Sequence, residues 1–150
     1  MLSRQYPKRP VVGVGAVILD GDKILLEKRK NMPSKGKWSI PGGLVDLGER
    51  VEDAVVREVK EETGLEVYEP RLLDVVDYVS WCEKGGVIYH YVIIDYLVIV
   101  KGGKAKAASD ADALKWVPFN EVEEYDLTES FRQFFGRNRQ KLENLSLIHI

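Results

Sequence analysis

The chain has 150 residues, 45% of them hydrophobic and 31% charged, with a formal net charge of -2. That length suits one domain with a single sizeable core, and the composition is that of a globular protein rather than a disordered or membrane one. The near-neutral, slightly acidic balance argues against nonspecific nucleic-acid binding and suits a small anionic partner.

Residues 1 to 9 read as a loose polar lead. Arg4, Lys8 and Arg9 before the apolar run Val11 to Leu19 imitate a signal peptide, but the run ends in Asp20-Gly21-Asp22 without a small-residue cleavage pattern. A strand followed by a turn explains it better, and Lys23 to Lys28 then forms the second arm of a hairpin. Asn31 to Lys37 is a loop broken by Pro33 and Gly36, after which Trp38 opens a short strand. An indole there suits the core and a substrate contact alike. Pro41 fixes one φ, and Gly42 and Gly43 permit conformations closed to other residues, so that backbone can approach a phosphate or metal closely.

Arg50 to Thr63 has no Gly or Pro, mixes good helix formers with valines and stops at Gly64, a residue suited to a left-handed cap. This predicts a helix of about four turns. At about 100° per residue, Glu58, Glu61 and Glu62 fall on one face, which Val51, Ala54 and Val55 continue toward the N-terminus. Solvent-facing acids would be expected beside partners of opposite sign one turn away, whereas Asp53, Arg57 and Lys60 cluster elsewhere. Three like charges stacked in this way repel, and a hard divalent cation such as Mg²⁺ or Mn²⁺ is the usual compensation.

The whole stretch from Gly43 to Leu65 reads GLVDLGERVEDAVVREVKEETGL. Four glutamates, an arginine and two glycines at these offsets arise by chance less than about once in 10⁸ start positions. The stretch has the pattern of the Nudix box, and the chain therefore resembles the Nudix hydrolases, which cleave a nucleoside diphosphate linked to another group X.

Beyond the box, Glu66 to Val79 reads as one or two strands and Trp81 to Gly86 as a hairpin loop. Val87 to Val100 is a nearly continuous apolar run, as in a strand buried on both faces, and is too short to span a membrane as a helix. Asp95 interrupts that run without explanation. Lys104 to Asp112 is small and polar, Ala113 to Val117 forms a strand, and Pro118 opens a short helical turn. From Leu127 to about residue 143 the spacing of Phe131, Phe134, Phe135, Asn138 and Leu142 predicts a final amphipathic helix capped by Thr128. Leu145 to Ile150 (LSLIHI) reads as a strand-like appendage. It resembles the in-frame translation of a sequencing-library adapter, which would make residues 1–144 the domain and 145–150 a non-native tail. The lone Cys82 cannot form an intramolecular disulfide, which suits a reducing compartment, and the chain reads as cytoplasmic.

The resemblance implies an α+β fold, an αβα sandwich with a mixed β-sheet between helices, and spans most of the chain. It implies that Glu58, Glu61 and Glu62, with the Gly43 backbone beside them, hold Mg²⁺ or Mn²⁺ against a diphosphate. Arg57 would orient Glu49, and Glu49 would either serve it or reach a metal. Arg29, at the end of its strand, would face the diphosphate, with Gly42 and Trp38 as further substrate contacts. Glu61 is the first choice of general base, and Glu83, Asp110 and Asp112 are loop alternatives. An aromatic slot for a base could come from Tyr78, Trp81, Tyr89, Tyr91 or Trp116. ADP-ribose is the expected substrate, although the proline that marks one class of ADP-ribose pyrophosphatases is absent where Ser80 and Trp81 lie. Nucleoside triphosphates are the alternative, and a noncatalytic nucleotide-sensing module is another. Homodimers are common in the family; membrane and nucleic-acid partners are not expected.

Overall fold

The computed structural model describes residues 4–101 and 113–148. Its strands divide between two sheets rather than forming one. The first contains β1 (Val11–Val17), β5 (Gly42–Leu44), β6 (Val67–Trp81) and β7 (Val87–Val100) in the order β5-β1-β7-β6. Only the β1–β7 pair is parallel, so this sheet is mixed. The second contains β2 (Leu19–Asp20), β3 (Lys23–Lys28), β4 (Trp38–Ser39) and β8 (Leu114–Pro118), with β3 paired to each of the other three. The expected hairpin turn at Asp20-Gly21-Asp22 is present, with Gly21 at φ +59 and Asp20 paired with Lys23.

Two helices cover the first sheet, one on each face. α1 (Val51–Thr63) packs through Ala54, Val55 and Val59 against Val14, Ala16, Tyr96 and Val98. It ends as the sequence predicts: Gly64 adopts φ +78 and donates its N–H to the Lys60 carbonyl. α2 (Glu129–Ile148) closes a second core of Val17, Leu26, Val76 and Leu97 with Phe131, Phe134, Phe135 and Leu142. Alternation along β1 and β7 feeds the two cores in turn, which is why both strands read as continuous apolar runs. The Thr128 hydroxyl caps α2 by accepting the Phe131 N–H at 3.2 Å.

Of the one or two strands expected over Glu66 to Val79, the structure has one, β6, bent by register shifts between Tyr68 and Arg71 and between Leu72 and Asp74. One expectation needs correction. The C-terminal segment is not strand-like, because α2 continues to Ile148, with Leu145 packed on the core and Ser146 buried. Leu142, Leu145 and Ser146 follow the helical spacing of Phe135 and Asn138, so the buried stripe runs on past residue 144. Among the described residues no helix is long and apolar enough to cross a membrane.

Candidate active site

The site begins with two glycines of β5. Gly42 pairs with Gly15 and Gly43 with Val14 on β1. A Cβ on Gly42 would collide with the Val14 carbonyl oxygen, and one on Gly43 would collide with the Glu58 carboxylate. The first glycine thus permits the strand pairing, and the second leaves room for a charged group of α1 directly over the strand. The consequence is separable by mutation. Gly42→Ala meets backbone, which cannot swing aside, and is expected to cost about 1–3 kcal/mol of stability. Gly43→Ala meets a side chain that can move, so its stability loss should be smaller and its main effect a displaced Glu58. Thermal unfolding of the two variants checks the order, and equal losses would show that both glycines serve the strand pairing.

Arg57 organises the acids. Its Nε and Nη2 donate to the two oxygens of Glu49 at 2.8 and 2.9 Å, a bidentate pair, while Nη1 donates to Glu58 at 2.8 Å and Glu61 at 3.2 Å. Nη2 also reaches the Leu44 carbonyl at 3.0 Å. The guanidinium therefore ties the helix to the loop before it and to the end of β5. Glu49 accepts the Asp46 N–H as well, and these bonds hold its carboxyl down to about 2, with Arg57 the main cause. Both Glu49 oxygens are thus taken up by Arg57.

Glu58 lies under Gly43, and burial pushes its carboxyl above the ordinary range. Glu62 comes within 3.4 Å of the Gly42 N–H. A further acid, Glu27 on β3, meets Glu62 across the site; burial first, then the hydrogen bond to Glu62, raise its carboxyl far above the usual value. Among the described residues no three metal-ligating side chains converge on one point as they stand. Arg57 holds Glu58 and Glu61, and Glu27 holds Glu62. The sequence reasoning missed Glu27, although a signal existed. It lies two residues before Arg29, which directly follows β3, and continued alternation would put both on one face.

These acids line a wide polar cleft of about 440 Å³ with Arg4, Lys28, Arg29, Asp46 and Leu114 among its walls. It adjoins a narrow cleft of about 110 Å³ between the first sheet and the start of α2, and the two share Arg4, Glu27, Arg29, Gly42, Gly43 and Leu44. Arg29 is braced there by donating its Nε–H to the Pro33 carbonyl at 2.9 Å. Of the aromatic candidates, Tyr78 and Tyr91 line the narrow cleft with their rings stacked at 6.4 Å. Tyr89 stacks behind Tyr91, Trp116 packs on the α1 core, and Trp81 is exposed at the end of the hairpin.

Trp38 does not join the expected substrate contacts. Its ring meets Tyr125 edge-on at 5.4 Å with the Lys115 ammonium 5.7 Å away, and it lines neither cleft. Its backbone instead bridges to Asp126 and Thr128, which fixes the entry of α2. Glu83 sits exposed in the turn between β6 and β7, also outside both clefts, so the structure does not bring it to the acids. Asp110 and Asp112 lie outside the described residues.

The NUDIX domain model matches residues 9–137 of the chain. The chain belongs to the Nudix family. It is 42% identical over 113 residues to an ADP-ribose pyrophosphatase of Methanocaldococcus jannaschii, an alignment that covers 75% of this chain and 64% of that protein. The chain thus spans slightly less than two thirds of that relative's length. Among solved structures, a MutT NUDIX hydrolase from Burkholderia pseudomallei superposes with a TM-score of 0.72 at 38% identity, covering 83% of this chain and 95% of that one. The NUDIX domain of Shewanella oneidensis NrtR, solved in complex with ADP ribose, superposes with a TM-score of 0.71 at 26% identity over 90% of each chain. The α+β Nudix fold, with mixed sheets flanked by helices, accounts for the arrangement. The α1 acids and Gly43 of β5 lie within the stretch from Gly43 to Leu65, and Gly42 directly precedes it.

Proposed function

We propose that the protein is a divalent-metal-dependent pyrophosphohydrolase that cleaves a nucleoside diphosphate linked to X, with ADP-ribose giving AMP and ribose 5-phosphate as the first choice. The observation that carries this reading is the junction of the two clefts. Carboxylates from α1 and β3 meet Arg29 and Arg4 at the mouth of a narrow, largely apolar slot. A diphosphate suits the charged side and a nucleoside the slot. The M. jannaschii relative and the ADP-ribose complex of the NrtR domain support the choice of substrate.

The donor set fits a hard cation. Glu58, Glu61 and Glu62 supply oxygen ligands, and the space over Gly43 that a Cβ would fill leaves the Glu58 carboxylate beside the strand backbone. Bound Mg²⁺ or Mn²⁺ would neutralise phosphate oxygens and acidify water. The chain's own residues do the rest. Arg29 binds and orients the diphosphate, Arg57 positions Glu49, Glu58 and Glu61, and Glu61 takes the proton as water attacks phosphorus and the bridging P–O bond breaks.

A hydrolysis screen with Mg²⁺ over nucleoside diphosphate derivatives and triphosphates, reading AMP, phosphate and pyrophosphate separately, tests the proposal. ADP-ribose should yield AMP without phosphate or pyrophosphate. Pyrophosphate from triphosphates alone would transfer the activity to that substrate class, and no turnover of any compound would leave a nucleotide-sensing module.

The positioning role of Arg57 has its own test. A lysine there keeps one charge but cannot reproduce the fork on Glu49 or reach Glu58, Glu61 and Leu44 together. Arg57→Lys should therefore weaken Mn²⁺ binding about 10- to 100-fold without substrate present. Arg29→Ala should instead raise KM and leave Mn²⁺ affinity nearly unchanged. Weakened metal binding in Arg29→Ala alone would reverse the two assignments.

A further inference from the structure

The narrow cleft holds a buried carboxyl for which the hydrolytic chemistry has no use. β7 presents Tyr91, Ile93 and Asp95 on one face, and β1 runs beside it with Gly13 opposite Ile93 and Gly15 opposite Asp95. The two glycines leave that part of the wall without side chains. At Gly15 the gap is occupied by Asp95, since a Cβ there would collide with its carboxyl oxygen and with Ile40. Asp95 therefore leans across β1 along the cleft. It is only 3% exposed.

A carboxyl buried to this extent normally has partners, because an unpaired buried charge is costly. The nearby partners are spent elsewhere. Asp74, opposite Asp95 on β6, takes the Arg137 guanidinium at 3.0 Å and the Asn138 amide at 2.7 Å. For Asp95 burial dominates, the Asp74 charge adds to it and Arg137 only partly offsets them, so that its carboxyl titrates near 7. The flanking residues are Ile93, Ile94, Tyr96 and Leu97, and an apolar residue at 95 would continue the core without this cost.

The walls around Asp95 suit a flat, apolar-faced ligand with a polar edge. Ile40, Val76, Ile93 and Phe131 supply apolar surface, and the glycines remove bulk from one side. At the other end of the same strand face, the Tyr91 hydroxyl is buried, with the Arg4 and Arg29 side chains near enough to act on it. The slot thus runs from the guanidinium groups beside the acids to the buried Asp95 carboxyl, with the Tyr91 hydroxyl on the same strand face and Glu129 at the start of α2.

We propose that Asp95 is a specificity-determining residue, whose carboxyl accepts a hydrogen bond from the exocyclic amino group of a purine lying in the narrow cleft beside Gly13 and Gly15. The proposal rests on reading the junction of the two clefts as a nucleotide site, and it adds which part of the nucleotide is selected and by what. A base without an amino donor would bury the carboxyl and leave it unpaired, so discrimination comes mostly from that penalty.

The test is equilibrium binding of AMP and of purine riboside 5′-monophosphate, which lacks only the amino group. Wild type, Asp95→Asn and Asp95→Leu are compared in EDTA at about pH 8.5, where a group titrating near 7 is ionised. Both ligands carry the same phosphate, so the ratio of their affinities isolates the amino contact. Wild type should favour AMP by about 10- to 100-fold. Asp95→Asn keeps an acceptor without the charge and should fall to a preference of a few-fold, whereas Asp95→Leu should lose the preference and keep its affinity for the purine analogue. Melting temperature is the control, and Asp95→Leu should melt at or above wild type because it replaces an unpaired buried acid.

An unchanged ratio in Asp95→Leu, a wild-type ratio near one, or no AMP binding at millimolar ligand would each overturn the proposal. Should Asp95→Leu fail to fold, Asp95→Asn decides, and a wild-type ratio in that variant overturns it. A protein that cleaved triphosphates rather than ADP-ribose would still give the expected binding ratio, so the two readings fail separately.

Discussion

EDTA is expected to abolish turnover, by about 10³-fold or more, and Mg²⁺ or Mn²⁺ to restore it. The four carboxyls of Glu27, Glu58, Glu61 and Glu62 line one wide cleft, and Arg57 hydrogen-bonds only two of them. Burial already raises Glu58 above the ordinary range, and its neighbours Glu61 and Glu62 raise it further. Such a cluster favours a divalent cation in its free state, and an anionic diphosphate added to it makes the requirement stronger. The lost stabilisation of developing charge amounts to several kcal/mol, or three decades and more in rate. A second readout does not depend on catalysis. Mg²⁺ binds the folded arrangement of acids and should raise the melting temperature in a concentration-dependent way. Full activity in chelator would sink the proposed mechanism, and a melting temperature indifferent to Mg²⁺ would remove the acids as its site.

The box was legible in sequence because its logic is local. Glycine spacing, a helix that ends at Gly64 and three acids on one face are decided within a single stretch of chain. The pairing of Arg57 with Glu49 came instead from the resemblance to the Nudix hydrolases. Glu27, Asp95 and Trp38 depended on tertiary geometry. Glu27 meets Glu62 only because the second sheet brings β3 to the acids of α1, and its spacing to Arg29 was the one local hint of that. Asp95 stood out as an interruption in an apolar run, but its surroundings, Gly15 on one neighbour and Asp74 on the other, come from two separate strand registers. Trp38 was ambiguous because an indole suits either setting, and the decision came from the bridge to Leu127 that turns its ring toward Tyr125. The division into two sheets was hidden by the unbroken run Val11 to Leu19. β1 and β2 meet within it at Ile18, a fully buried residue with no turn signal beside it.

Glu61→Gln is expected to lower kcat by at least about 10²-fold at saturating metal, with a smaller change in KM. The three acids of α1 are not equivalent. Glu58 is 13% exposed and wedged between Arg57 and Gly43, and Glu62 lies between the Gly42 N–H and Glu27, so both are fixed by their surroundings. Glu61 is 58% exposed and is held by a single longer bond to Arg57 at 3.2 Å. Of the three it has the freedom and solvent access to receive a proton from water. Glutamine preserves its shape and a possible oxygen ligand while removing the basicity, so single-turnover rates with saturating Mn²⁺ separate the proton transfer from metal binding. Glu58→Gln is the contrast, with a weaker Mn²⁺ affinity as its main effect. Near-wild-type turnover in Glu61→Gln, together with an inactive Asp110→Asn or Asp112→Asn, would move the base to the segment between β7 and β8. The exposed turn position of Glu83 predicts that Glu83→Gln leaves the rate unchanged in either case.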